Sequence, residues 1–371
     1  MIRRRVIGFV LLLCAGTPTA CVDFECDIRE ANCEPLVWLA YLCIPSVIGG
    51  NAQGCPLELS GTVTTIAGQA GVTGTADGIG TAATFDFPNG VTTDGSFIYI
   101  ADAQGANIRR LDHKTREVTP LVTGLMLPRD VLYESGALYI ADASAHKIKR
   151  YDLTSGVLAD FAGDGTNAFL DGFGTAAQLN FPQGVTSDGS FLYVIDSGNT
   201  VIRKINLATT EVTRLSGMVA GGGFADGVSS VAQFSGPAGG TVVGTKLYVA
   251  DGSNDAIREV DTTTGTVRTI AGQGGVPGLA DGIQTDARFD FPFGMSTDGF
   301  FLYVTEVGNH TIRKVDLATL EVTTISGTGA TGTADGVGTA ATHAQPRGIA
   351  NNGTSLFVGD TTDGRTVRLI Q

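Results

Sequence analysis

Apolar and polar residues alternate in short runs along most of this chain. Phe97-Ile98-Tyr99-Ile100 is one such run, set between Asp94-Gly95 and the small, polar residues after Asp102. Period-two alternation rich in β-branched and aromatic residues predicts short strands, and Asp-Gly predicts the tight turns that join them.

The runs recur inside a larger unit. Residues 87–119 (FPNGVTTDGSFIYIADAQGANIRRLDHKTREVT), 181–213 and 291–323 are copies of one another, and degenerate copies begin near Leu127, Phe234 and Ala344. An acidic residue closes the main apolar run of each copy: Asp102, Asp142, Asp196, Asp251, Glu306 and Asp360. Each copy divides into four strands. The first follows Pro-x-Gly and the second is the alternating run. The third is an Ile-Arg-Arg-Leu or Ile-Arg-Lys-Val segment, and the last follows a D-x-x-T turn, as at 322–325. Radial repetition of four-stranded antiparallel sheets is a β-propeller. The sixth copy ends at Gln371 after its third strand. VTTIAG at 63–68 is a fourth-strand sequence standing before the first full copy, and it matches VRTIAG at 267–272. The fold expected over 61–371 is therefore all-β: a six-bladed propeller whose N-terminal strand completes the last blade. Without that strand the ring would expose an unpaired edge.

Composition fits this picture. Glycine supplies 52 of 371 residues without a collagen period, and charged residues are only 16%, against about 25% in ordinary soluble domains. The surface must be built of Thr, Ser, Gly and Asn. The balance of 24 basic against 37 acidic residues gives a net charge of −13, which argues against nucleic acid and anionic lipid surfaces as partners.

The N-terminus reads as an address. Arg3, Arg4 and Arg5 precede an apolar stretch over 6–13 and small residues up to Ala20, the layout of a signal peptide over residues 1–20. Pro18-Thr19-Ala20-Cys21 resembles a bacterial lipobox, departing from it at Pro18. Cys14 leaves with the signal peptide, and the cysteines that remain are Cys21, Cys26, Cys33, Cys43 and Cys55. A lipid on Cys21 leaves four, enough for two disulfides of open connectivity. Their spacing lacks the close ligand pairs of a zinc site. Residues 21–60 then form a small Cys-containing segment, with membrane contact only through the N-terminal lipid.

Antiparallel blades put successive turns on alternate faces. The loops between second and third strands share one face with the blade-to-blade crossings. Five crossings are long and contain an Asp-Gly: Asp77, Asp171, Asp226, Asp281 and Asp335. Only the crossing at Gly124–Pro128 is short, leaving a notch beside Met126. Loops on a rigid scaffold are where binding concentrates. The repeated acids pair in sequence with Arg109, Lys149, Arg203, Arg258, Arg313 and Arg368. Six copies of one pairing point to structure rather than catalysis, and the Asp-Gly pairs read as turns. His146 and His310 read as solvated loop residues on opposite blades, too far apart to share a metal. No catalytic residue, metal or cofactor is assigned. Calcium is the one ion the oxygen-rich loops could admit, densest at Asp164-Gly165-Thr166-Asn167 with Asp171. Gly327–Gly332 fits G-x-G-x-x-G by chance, since no helical pattern follows it.

The repeated P-x-G-V, L-Y-V-A-D, G-N-H/T and I-R-K segments, with A-D-G-x-G-T-A-A-x-F crossings, resemble the NHL repeat over 61–371. Residues 304–313 (VTEVGNHTIR) come close to the family signature and depart from it at Glu306. The resemblance implies a six-bladed propeller that recognises proteins, glycans or nucleic acids, and the charge balance sets nucleic acid aside. It also implies, as an alternative, a metal-dependent lyase or lactonase of the kind found in a minority of relatives; a purely structural envelope protein is a third class. The expectation is an exported binding or scaffold module, lipid-anchored in the cell envelope or secreted, that takes a protein or glycan partner on the crossing face.

Overall fold

A computed structural model describes residues 56–371, and the chain divides into compact units between Cys55 and Pro56. The signal peptide and the five mature cysteines lie outside the described residues. No helix among the described residues is long and apolar enough to cross a membrane.

Six antiparallel sheets follow one another along the chain. Blade 1 comprises Pro88–Thr93, Phe97–Asp102, Asn107–Asp112 and Glu117–Val122. Blades 2 to 5 begin with Pro128–Glu134, Pro182–Ser187, Pro237–Val243 and Pro292–Thr297, and each adds three strands in chain order. Blade 6 comprises Pro346–Asn351, Leu356–Asp360 and Thr366–Ile370, and its fourth strand is Thr62–Gly68 from the other end of the chain. Val63 pairs with Ile370 and Thr65 with Arg368, so the N-terminal strand closes the ring as the sequence predicts. The six first strands stand side by side around a central channel.

One register runs through all six blades. The proline that opens each first strand faces the acid that ends the second: Pro88 with Asp102, Pro128 with Asp142, Pro182 with Asp196, Pro237 with Asp251, Pro292 with Glu306, Pro346 with Asp360. Proline suits that place because it follows a crossing and supplies no N–H to the ladder. The apolar residues of each alternating run bury between neighbouring blades. Ile98, Ile100 and Leu111 of blade 1, for example, pack with Phe357 and Val367 of blade 6 and with Ile66 of the closing strand.

A feature absent from the sequence reading lies at the rim. The Asp-Gly of a crossing does more than turn: the residues after Asp77, Asp171, Asp281 and Asp335 form two-residue strands outside the fourth strand of the blade. Gly227 makes the equivalent single bridge to Val267. Blade 2, entered by the short crossing, has no such addition.

Candidate binding face

The strand directions place the crossings and the loops between second and third strands on one face. The short turns occupy the other. On that turn face, Asp94, Asp188 and Asp298 each accept backbone N–H groups within their own turn and a tyrosine hydroxyl, from Tyr99, Tyr193 and Tyr303 respectively. The described chain also enters there, since the Leu57 N–H donates to Asp298 Oδ2.

Five buried arginines build the crossing face from beneath. Arg258 is fully buried and shows the pattern: Nη1 lies 2.6 Å from Asp251, which ends the second strand, and Nη2 lies 2.7 Å from Asp226 in the crossing. The same two nitrogens donate to the carbonyls of Gln233 and Ala225. Arg203 joins Asp196 and Asp171, Arg313 joins Glu306 and Asp281, and Arg368 joins Asp360 and Asp335 in the same way. Arg109 holds Asp77 at 2.6 Å but stands 4.0 Å from Asp102. A planar guanidinium with several fixed donors can serve two carboxylates and two carbonyls at once, which an ammonium cannot. The crossing aspartates, read from sequence as turn formers, are thus the second half of the arginine site. Three also bind the fourth strand: Thr65, Thr269 and Thr324 each donate N–H and hydroxyl to Asp335, Asp226 and Asp281.

Burial pushes the strand-end acids upward: Asp196 and Glu306 rise, and Asp251 reaches about 6 despite its arginine. Asp102 reaches about 7 because it is buried, and its Oδ2 has no hydrogen-bond partner among the described residues. Blades 3, 4 and 5 carry Asn199, Asn254 and Asn309, whose amides donate to the acid. Gly105 stands at that place in blade 1.

Lys149 corrects the sequence reading of six equivalent pairs. It binds Asp160 at 2.7 Å, together with Lys147, and leaves Asp142 to the N–H groups of Met126 and Leu127. Blade 2 has no long crossing for a guanidinium to clamp. At the notch Leu125 is buried against Tyr99 and Val131, while Met126 is 64% exposed. His146 and His310 are not simply solvated: each accepts the N–H of the residue that precedes the next blade's proline, Phe181 and Gln345. Among the described residues no three His, Cys, Asp or Glu are placed to hold a metal. In the oxygen-rich loop, Asp164 is engaged by Thr166 and Gln178, and Asp171 by Arg203.

The channel mouth breaks the six-fold pattern. The residues after the opening prolines are Asn89, Arg129, Gln183, Ala238, Phe293 and Arg347. The next position is glycine in five blades and Asp130 in blade 2. At Gly184, Gly239, Gly294 and Gly348 a Cβ would collide with a carbonyl of the neighbouring first strand, which is why the waist of the channel is glycine. Asp130 instead sends its carboxyl across to the Val185 N–H of blade 3 at 3.0 Å, and burial pushes it up to about 7. Aligning the copies on their prolines exposes both sets of residues. The sequence reading missed them because it followed what the copies share.

No protein-family model matches the chain. Human NHL repeat-containing protein 2 is 29% identical over 304 residues, 68% of this chain and 42% of that protein. The chain is an NHL-repeat propeller. It spans about two fifths of the length of the curated relatives of that name. The NHL propeller also superposes on a protein of unknown function from Bacteroides thetaiotaomicron, with a TM-score of 0.68 and 20% identity over 83% of this chain and 75% of that one. An auxiliary nutrient binding protein from Bacteroides ovatus gives 0.67 and 18% over 85% and 77%. At these identities the solved structures share the fold with the NHL propeller.

Proposed function

We infer that this chain is an exported binding or scaffold module that captures a protein or glycan partner on its crossing face. One observation carries the reading: five crossings are clamped from below by buried arginines, so that face is a preformed surface around an asymmetric channel mouth. Preorganised loops lose little entropy on binding. The apolar residues Val72 and Val276 stand exposed on it beside the loops between second and third strands, with Met126 at the notch, while Ile79, Phe173, Val228, Ile283 and Val337 are exposed on the outer rim toward the turn face. The Bacteroides ovatus protein of the same fold, a nutrient binding protein by name, supports a role in uptake or capture at the envelope.

Immobilised protein should capture envelope material, and Met126→Asp with Val276→Asp should reduce that capture without changing the melting temperature. Lys114→Glu, on the turn face, should leave it intact. Capture lost with Lys114→Glu and kept with the other pair would reject this face. Cys21→Ser should release the protein from the membrane fraction, whereas wild type found wholly soluble would reject the anchor.

A further inference from the structure

We propose that the mouth of the central channel is an oxyanion site, in which Arg129 and Arg347 grip a single carboxylate or phosphate group above Asn89. The proposal rests on the crossing face being the binding face, and it names the chemistry recognised at its centre.

The argument begins with a contrast. Five buried arginines each hold two carboxylates or stand beside them. Arg129 and Arg347 have no ion pair and no side-chain hydrogen bond among the described residues, and the Nε of each, like that of the other five, is buried and unpartnered. Both lean on the same ring: the Cζ of Arg347 lies 5.1 Å from the Phe87 centroid and that of Arg129 lies 6.0 Å from it. Phe293 and Phe181 support the outer sides, at 4.5 Å from Arg347 and 5.6 Å from Arg129. These aromatic contacts fix the two planes without occupying their N–H donors.

Between the two arginines, on blade 1, stands Asn89. It is fully buried, lines the channel, and neither its amide oxygen nor its amide nitrogen has a partner among the described residues. A buried polar side chain without a partner costs stability. Two like charges held together cost more: Arg347 falls to about 10 through burial and the proximity of Arg129. A chain of net charge −13 has ample acids to neutralise them and places none there. The neighbouring acid, Asp130, turns its two oxygens to the N–H groups of Val131 and Val185. Such unrelieved cost is expected where a binding site is kept ready.

The complement of two guanidinium forks and an amide is a planar or tetrahedral oxyanion. The channel behind the mouth, about 160 Å³, has Asn89 and Arg129 in its lining and runs past the glycine waist to Thr93 and Asn351. At the waist the first strands approach so closely that a Cβ would not fit, so the mouth takes a group of a few atoms and not a polymer segment. The ligand is therefore a small acid, or the terminal acidic group of a larger molecule that rests on the crossings.

The intact protein should be titrated by calorimetry with inorganic phosphate, glucuronate and glucose. Saturable binding of phosphate or glucuronate, and none of glucose, is expected, and whichever oxyanion binds tells phosphate from carboxylate chemistry. Arg129→Gln with Arg347→Gln should weaken that binding by at least about tenfold, with Arg347→Lys intermediate. The double variant should melt no lower than wild type, since it removes an unpaired like-charge contact. The proposal is overturned if neither oxyanion binds wild type, if the double variant binds equally well, or if it melts well below wild type. Oxyanion binding absent while capture still depends on Met126 and Val276 rejects this site alone. Oxyanion binding present while capture ignores both rejects the wider face alone.

Discussion

Arg258 and Lys149 occupy equivalent places in two blades and should respond very differently to replacement. Arg258 is fully buried between Asp251 and Asp226 and stacks 4.7 Å from the Phe224 centroid. Arg258→Met strands the buried Asp251 carboxylate, and breaking one side of such a pair costs about 3–5 kcal/mol. Lys149 shares the partly exposed Asp160 with Lys147, so Lys149→Met should cost about 1 kcal/mol or less. Equal losses in chemical denaturation would contradict the clamping role of the buried arginines. Asp102 adds a pH signature. Burial raises it from 3.8 to about 7, so the folded chain keeps a proton that the unfolded chain releases over that interval. Its contribution is complete below pH 3.8 and is lost as pH rises through about 7, by at most about 1.4 kcal/mol per unit. Asp102→Asn keeps an acceptor for the Asp86 N–H and removes the titration. Wild type should therefore lose stability relative to the variant between pH 5 and pH 8. A difference constant across that range would remove the assignment.

At the scale of elements, the closing strand matters most. Residues 62–68 supply the fourth strand of blade 6 and carry Ile66, which is 2% exposed. Ile66→Ala should cost about 2–5 kcal/mol. Removing the strand should cost more, because each ladder bond contributes about 0.5–1.5 kcal/mol net and the Leu369 edge loses its cover. A truncated chain that melts with the intact one would show that the ring closes otherwise. This element was legible in sequence because VTTIAG at 63–68 repeats a fourth strand and the C-terminus lacks one. The rim strands after Asp77, Asp171, Asp281 and Asp335 were not legible. Two residues carry no alternation, and their Asp-Gly also spells a turn. Nor does spacing alone show that Arg109 reaches 32 residues back to Asp77, since that contact exists only once the crossing folds over the blade.

For the molecule as a whole, repetition explains the scaffold and departures from repetition mark the site. The copies share the proline, the strand-end acid and, in five blades, the arginine clamp. They differ at Asn89, Arg129, Asp130 and Arg347, which gather at one end of the axis although 258 residues part the first from the last. Blade 2 is the most divergent, with the short crossing, Lys149 in place of the clamp and Asp130 at the waist. A symmetric ring can thus present one oriented site, with the entry of the chain on the opposite face. Amide hydrogen exchange on the intact protein, free and bound to its captured envelope partner, tests this most directly. The account predicts slowed exchange in the crossings 71–87, 163–181, 218–236, 273–291 and 327–345 and around Met126, with the turns at 94–96, 113–116 and 188–190 unchanged. Protection confined to those turns, with the crossings unaffected, would contradict it.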